Sequence, residues 1–176
     1  LDHITRSDMS LPVTDGVLCH NGECVLQTYR PNERATRDFA QLEEKLERAY
    51  RGEITQEELM PATLEGCLVR ICDVIAYLGK DRQDADRLNV HGVRDYTDHG
   101  AGVLNHEIIR AAGEDIIFNS YDKNAIILSD ALYAALVMGM RENYAYIYKT
   151  ESTGITARQS EQMERAVKEV FEFAID

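Results

Sequence analysis

The segment from Thr63 to Leu88, TLEGCLVRICDVIAYLGKDRQDADRL, constrains the fold of this chain more than any other. Wound as a helix, it puts Leu64, Leu68, Ile71, Ile75 and Leu78 in one apolar stripe, the pattern of a segment packed into a core. A second, polar stripe runs beside it. On an ideal helix Gly66, Arg70, Asp73, Tyr77 and Asp81 fall within about 80° of arc. Solvated helix faces commonly pair Glu with Lys at i,i+4, whereas this one spaces Asp, Tyr and Asp four apart with an arginine among them. Such a face suits the wall of a pocket. The plain alternative, two solvent-facing aspartates and a half-buried tyrosine on an amphipathic helix, has the same spacing.

Elsewhere the pattern is helical as well. Leu11–Cys19 reads as a short helix ending at a turn signalled by Asn21-Gly22. His20 and Glu23 are candidate site residues there, although a histidine at a helix end commonly satisfies carbonyls. Cys24–Asn32 reads as irregular. Thr36–Arg51 reads as a scaffold helix on Phe39, Leu42, Leu46 and Tyr50, with Gly52 as its terminator, and Thr55 to Glu58 as a capping box. After Leu88 a glycine-rich loop carries His91, Asp95, Asp98 and His99, which are either metal donors or a solvated polar loop. Further helices are expected over Val103–Asn119, over Asp130–Tyr148 with Ser129 as N-cap, and over Thr156–Ala174 on Met163, Val167, Val170 and Phe171. Tyr144, Tyr146 and Tyr148 can stack on a base or simply pack. Ala125–Leu128 is the one strand candidate. The expected fold class is all-α, an irregular helical bundle rather than an up-and-down one.

Composition narrows the function. With 44% hydrophobic and 28% charged residues and 3 prolines, the 176-residue chain is globular and needs no staples. A net charge of −12 argues against a nucleic-acid backbone binder, which needs a concentrated basic face, so no nucleic-acid partner is expected. No apolar run approaches the roughly 20 residues of a membrane span, so no membrane partner and a cytoplasmic location are expected. The cysteines stand as Cys19/Cys24 and Cys67/Cys72. Cys67 and Cys72 lie about 140° apart on a helix, which disfavours a shared zinc ion and favours reduced thiols acting as small hydrophobes.

Three blocks carry a resemblance. Arg70-Ile-Cys-Asp73-Val-Ile-Ala-Tyr77-Leu-Gly-Lys-Asp81, continuing to Asp84 and Ala85, is similar to the helix ADDIAYxxHDxxDA of the dGTP triphosphohydrolase branch of the HD-domain phosphohydrolases. Asp115-Ile-Ile-Phe-Asn119-Ser120 followed by Ile127-Leu-Ser129 resembles that family's DIIENS…MS stretch, and the early DGVLCHNGE resembles a segment lying before the helix. The resemblance implies an HD-type helical domain over residues 1–88 and an associated helical region over 89–176, packed as one unit. It implies that Asp73 is a ligand of a divalent metal such as Mg or Mn, that Tyr77 packs on a deoxyribose and that Asp81 accepts from the 3′-hydroxyl. An i, i+4, i+8 series rising about 6 Å per step could supply one group for each. Arg70 can offset phosphate charge, or pair with Asp73 or Asp84.

The implied reaction is hydrolysis of a deoxynucleoside triphosphate to the deoxynucleoside and triphosphate, with metal and water acting at the α-phosphorus. The departures matter too. The sequence contains no adjacent His-Asp pair, the nearest being Asp98-His99, in reverse order and after Asp73, and Lys80 stands where the family often has histidine. One carboxylate does not hold a catalytic divalent ion. The expectation is therefore a fragment, beginning at Leu1 in mid-pattern, inactive alone and self-associating as a homo-oligomer through uncovered apolar surface. The alternative is a non-catalytic module that binds a nucleotide or a partner.

Overall fold

The computed structural model describes residues 9–20, 25–32, 36–55, 59–89, 95–148 and 157–175. Its elements are α1 (Leu11–Cys19), β1 (Thr28–Tyr29), α2 (Phe39–Tyr50), α3 (Leu64–Arg87), α4 (Asn105–Ser120), β2 (Ile126–Ile127), α5 (Asp130–Asn143) and α6 (Ala157–Ile175). A π-helical turn over Tyr144–Tyr148 continues α5. Among the described residues the fold is all-α apart from one two-stranded antiparallel ladder, Thr28 opposite Ile127 and Tyr29 opposite Ile126.

The long helix α3 is the axis. Thr63 caps it by accepting a hydrogen bond from Gly66 N at 3.1 Å, and it ends at Leu88, before Asn89 turns to a positive φ of 50°. Its Cys67, Ile71, Val74, Ile75 and Leu78 enter one core with Ile108, Ala112 and Ile116 of α4 and Leu132, Ala135 and Leu136 of α5. Leu68, expected in that stripe, is instead 41% exposed. The buried arc at the start of α3 is set by α1, which crosses at glycines: a Cβ on Gly66 would stand 3.3 Å from the Gly16 Cα and 2.6 Å from the Pro61 Cβ. The close approach turns Gly66 and Cys67 inward and leaves Leu68 outside. Further along, a Cβ on Gly79 would meet the Asn105 Cα at 2.5 Å, so α4 starts directly against α3. Glu107 closes that start by accepting from Val103 N and Leu104 N, each at 3.0 Å.

Helix α2 begins at Phe39, later than the expected Thr36, because Asp38 caps it through Gln41 N at 2.9 Å while the Thr36 hydroxyl is committed to Asp15 at 2.9 Å. Asp15 is fully buried and also accepts from Ala62 N at 2.6 Å, from Lys45 Nζ at 3.2 Å and from the Cys19 thiol at 3.6 Å. Leu42 is buried, but Phe39 and Tyr50, expected on the same stripe, are exposed. The buried ion pair with Asp15 rotates α2 so that Lys45 faces inward. Gly52, with φ of 70°, stops the helix as its lack of a side chain permits.

The Cys24–Asn32 stretch, expected to be irregular, contains β1, because its partner β2 arrives from far along the chain. The block from Asp115 to Ser129 is a structural clasp. Asp115 Oδ2 accepts from Ser129 N at 2.9 Å and Ser120 Oγ accepts from Ile127 N at 2.9 Å, which ties the end of α4 to β2 and to the start of α5. Ser129 then caps α5 through Leu132 N at 3.1 Å. The expected helix over Asp130–Tyr148 is α-helical only to Asn143, and of its expected stripe Leu132 and Leu136 are buried while Tyr144 is exposed. Met163, Val167 and Val170 on α6 are also exposed. Among the described residues no helix is long and apolar enough to cross a membrane. Glu23, His91 and the capping box ending at Glu58 lie outside the described residues.

Candidate functional site

A cavity of about 630 Å³ opens between the middle of α3 and the end of α5. Asp73, Tyr77 and Asp81 line its α3 side. The three side chains four residues apart thus meet one concavity, with Val74 and Leu78 of the core at its floor. Tyr77 is 58% exposed, and Asp73 and Asp81 are half-buried. Among the described residues the Asp73 carboxylate carries no hydrogen bond or ion pair.

The opposite wall is made by Met140, Arg141, Tyr144 and Tyr148. What places it is Asn143. This buried amide donates to the Leu78 carbonyl at 2.8 Å and accepts from Arg82 Nε at 2.8 Å, pinning the end of α5 to the middle of α3. Immediately after it the helix widens into the π turn, a device that redirects side chains locally. Tyr144 and Tyr148 then stand with ring centroids 6.4 Å apart at 44°, and the Tyr148 hydroxyl donates to Asp81. Tyr146 is exposed and does not line the cavity.

Behind that wall Glu142 gathers a second set of groups. Arg82 Nη2 lies at 3.0 Å, Thr97 N donates at 3.1 Å and His99 Nε2 lies at 3.5 Å, while the Arg82 guanidinium sits 4.7 Å over the Tyr96 ring. Burial pushes the Arg82 pKa down, with the Glu142 carboxylate opposing that shift. This cluster braces the loop at Tyr96–His99 against α3 and α5.

The remaining candidates are placed elsewhere. Arg70 is not at the cavity: its guanidinium is fully buried, donating to the Leu59 carbonyl at 2.6 Å. Angular position on a helix says nothing of depth along the axis, and at the level of Arg70 the chain at Leu59 lies against α3. Asp84 pairs with Lys80 at 2.6 Å and with Arg87 at 3.7 Å. Asp98 accepts from Gly100 N and Gly102 N, which hold its pKa below the usual range, so it shapes its own loop. His20 rests on the Val17 carbonyl at the end of α1. Cys19 and Cys67 are buried free thiols, and burial raises each to about 11.

Among the described residues no group of three His, Cys, Asp or Glu side chains is gathered that could hold a metal ion. Asp73 alone does not make such a site. Sequence reasoning missed Arg141 and Asn143, because an arginine in the last turn of a helix reads as a partner of the helix dipole and an asparagine there as a terminator.

An all-α protein with an aromatic and carboxylate-lined cavity between two helices is the class that fold and site define. Among curated proteins the chain is similar to a deoxyguanosinetriphosphate triphosphohydrolase-like protein of Caldanaerobacter subterraneus subsp. tengcongensis, 30% identical over 120 residues that make up 66% of this chain and 34% of the relative. The aligned stretch thus spans about a third of that relative's length. No family model and no solved structure matches the chain.

Proposed function

We propose that this chain supplies the nucleotide-holding wall of a metal-dependent hydrolase that converts a deoxynucleoside triphosphate to the deoxynucleoside and triphosphate. The observation that carries this reading is the meeting of Asp73, Tyr77 and Asp81 on one cavity, faced by Tyr144 and Tyr148. The similarity to a triphosphohydrolase-like protein supports the substrate class.

In this reading the exposed face of Tyr77 takes the sugar ring, burying apolar area on both partners. Asp81 accepts a hydrogen bond from the 3′-hydroxyl, exchanging it for the one from Tyr148. Asp73 is one ligand of the divalent ion, whose other ligands come from outside the described residues. Hydrolysis adds water across the bond between the α-phosphorus and the 5′ oxygen, and the proton goes to the leaving deoxynucleoside.

The second reading, a nucleotide- or partner-binding module without turnover, is favoured because the described residues bring two carboxylates, Asp73 and Asp81, and no histidine or cysteine to the cavity, fewer groups than a metal centre gathers. Calorimetry with dGTP, together with chromatography of products after incubation with Mn²⁺, separates the two. That shortage of metal ligands predicts binding without release of triphosphate by this chain alone, and a loss of about tenfold or more in affinity in Asp81→Asn and Tyr77→Ala. Release of triphosphate that Asp73→Asn abolishes would show a complete metal site and set the module aside. Absence of both binding and release would overturn both readings.

A further inference from the structure

We infer that Arg141 is the anion-holding residue of the cavity and takes a phosphate of the bound nucleotide; this rests on the nucleotide reading of the site. The sequence offers Arg70 for that role, and the fold removes it by burying its guanidinium at the Leu59 carbonyl. Arg141 stands in the last turn of α5 and lines the cavity with Asp73 and Asp81. No other lysine or arginine lines it among the described residues.

Arg141 is also uncommitted. The chain carries 31 acidic and 19 basic residues, so a carboxylate partner is rarely far away. The cations nearest in sequence on α3 are taken: Lys80 and Arg87 hold Asp84, and Arg82 holds Glu142 and Asn143. Among the described residues the Arg141 side chain makes no hydrogen bond or ion pair, and it is exposed on the cavity wall. Its planar fork of donors matches two oxygens of a phosphate at once. With two carboxylates and one guanidinium the wall is net negative, so a triphosphate that enters depends on Arg141 to offset like charge.

A role confined to the α5 dipole would leave ligand discrimination untouched, which gives the test its readout. The affinities of dGTP and of deoxyguanosine are measured by calorimetry in one buffer for the unaltered chain, Arg141→Gln and Arg141→Lys, with melting curves recorded for each. The expected result is a fall of about tenfold or more in dGTP affinity for Arg141→Gln, deoxyguanosine affinity unchanged, and partial recovery of dGTP binding in Arg141→Lys. An unaltered chain that binds both ligands, with their ratio the same in Arg141→Gln, overturns the role of Arg141 and leaves the nucleotide reading standing. An unaltered chain that binds neither overturns that reading and this inference with it.

Discussion

The hydroxyl of Tyr148 donates to the carboxylate of Asp81, joining the π turn after α5 to the third of the polar positions on α3. One wall of the cavity is thereby tied to the other through a group that a sugar hydroxyl would also use. Tyr148→Phe keeps the ring on the wall and frees the carboxylate. The expected outcome is tighter dGTP binding, by about two- to tenfold for a bond of this kind, with a slightly lower melting temperature. Weaker binding in this variant would mean that the Tyr148 hydroxyl contacts the ligand itself.

Helix α4 can start against α3 only because position 79 has no side chain. Gly79→Ala would place a methyl group 2.5 Å from the Asn105 Cα, and separating the helices should cost about 1–3 kcal/mol in a denaturant titration. Gly113 on α4 has nothing within 4 Å of an added Cβ. There the same substitution should stabilise, by up to about 1 kcal/mol, as alanine does inside helices.

Asp15 joins α1 to α2 and to the entry of α3 through Thr36, Lys45 and Ala62 N. Asp15→Ala leaves Lys45 buried without its carboxylate and should cost about 3 kcal/mol or more by urea unfolding. Asp15→Ala combined with Lys45→Met should recover part of that loss, since a buried charge is then no longer uncompensated. A double variant no more stable than the single one would show that the carboxylate serves the backbone at Ala62 rather than the ion pair.

Glu107 gives the fold an acid sensitivity. Hydrogen bonds from Leu104 N and Val103 N hold its carboxyl below the ordinary 4.5, so the ionised form is favoured in the folded chain. Its contribution is present above 4.5 and disappears as the pH falls through the lower folded value. Melting temperature followed from neutral pH into that range should drop less steeply for Glu107→Gln than for the unaltered chain.

Much of the fold was legible where a cap and a period agree. Thr63 and Leu88 bound α3 as the sequence indicates, and Ser129 starts α5, because a hydroxyl ahead of an apolar repeat satisfies the first free N–H groups. The alignment of Asp73, Tyr77 and Asp81 was legible for the same reason, helical spacing being a local property. Depth was not. Arg70 shares their angular range and is buried, its guanidinium held at the Leu59 carbonyl. The π turn at Tyr144–Tyr148 and the strand at Thr28–Tyr29 leave no period, since one is a single widened turn and the other exists only against Ile126–Ile127. The inward turn of Lys45 follows from Asp15, thirty residues earlier, and a pattern of apolar residues does not register it.

The most direct measurement is a nuclear magnetic resonance titration of the assigned tyrosine rings with dGTP. Tyr77, Tyr144 and Tyr148 should shift together along one binding curve, while Tyr29, enclosed in the core, and Tyr50, 95% exposed on α2, stay in place. Shifts that spare Tyr77 and Tyr148, or that follow Tyr50 instead, would contradict a nucleotide site between α3 and the π turn.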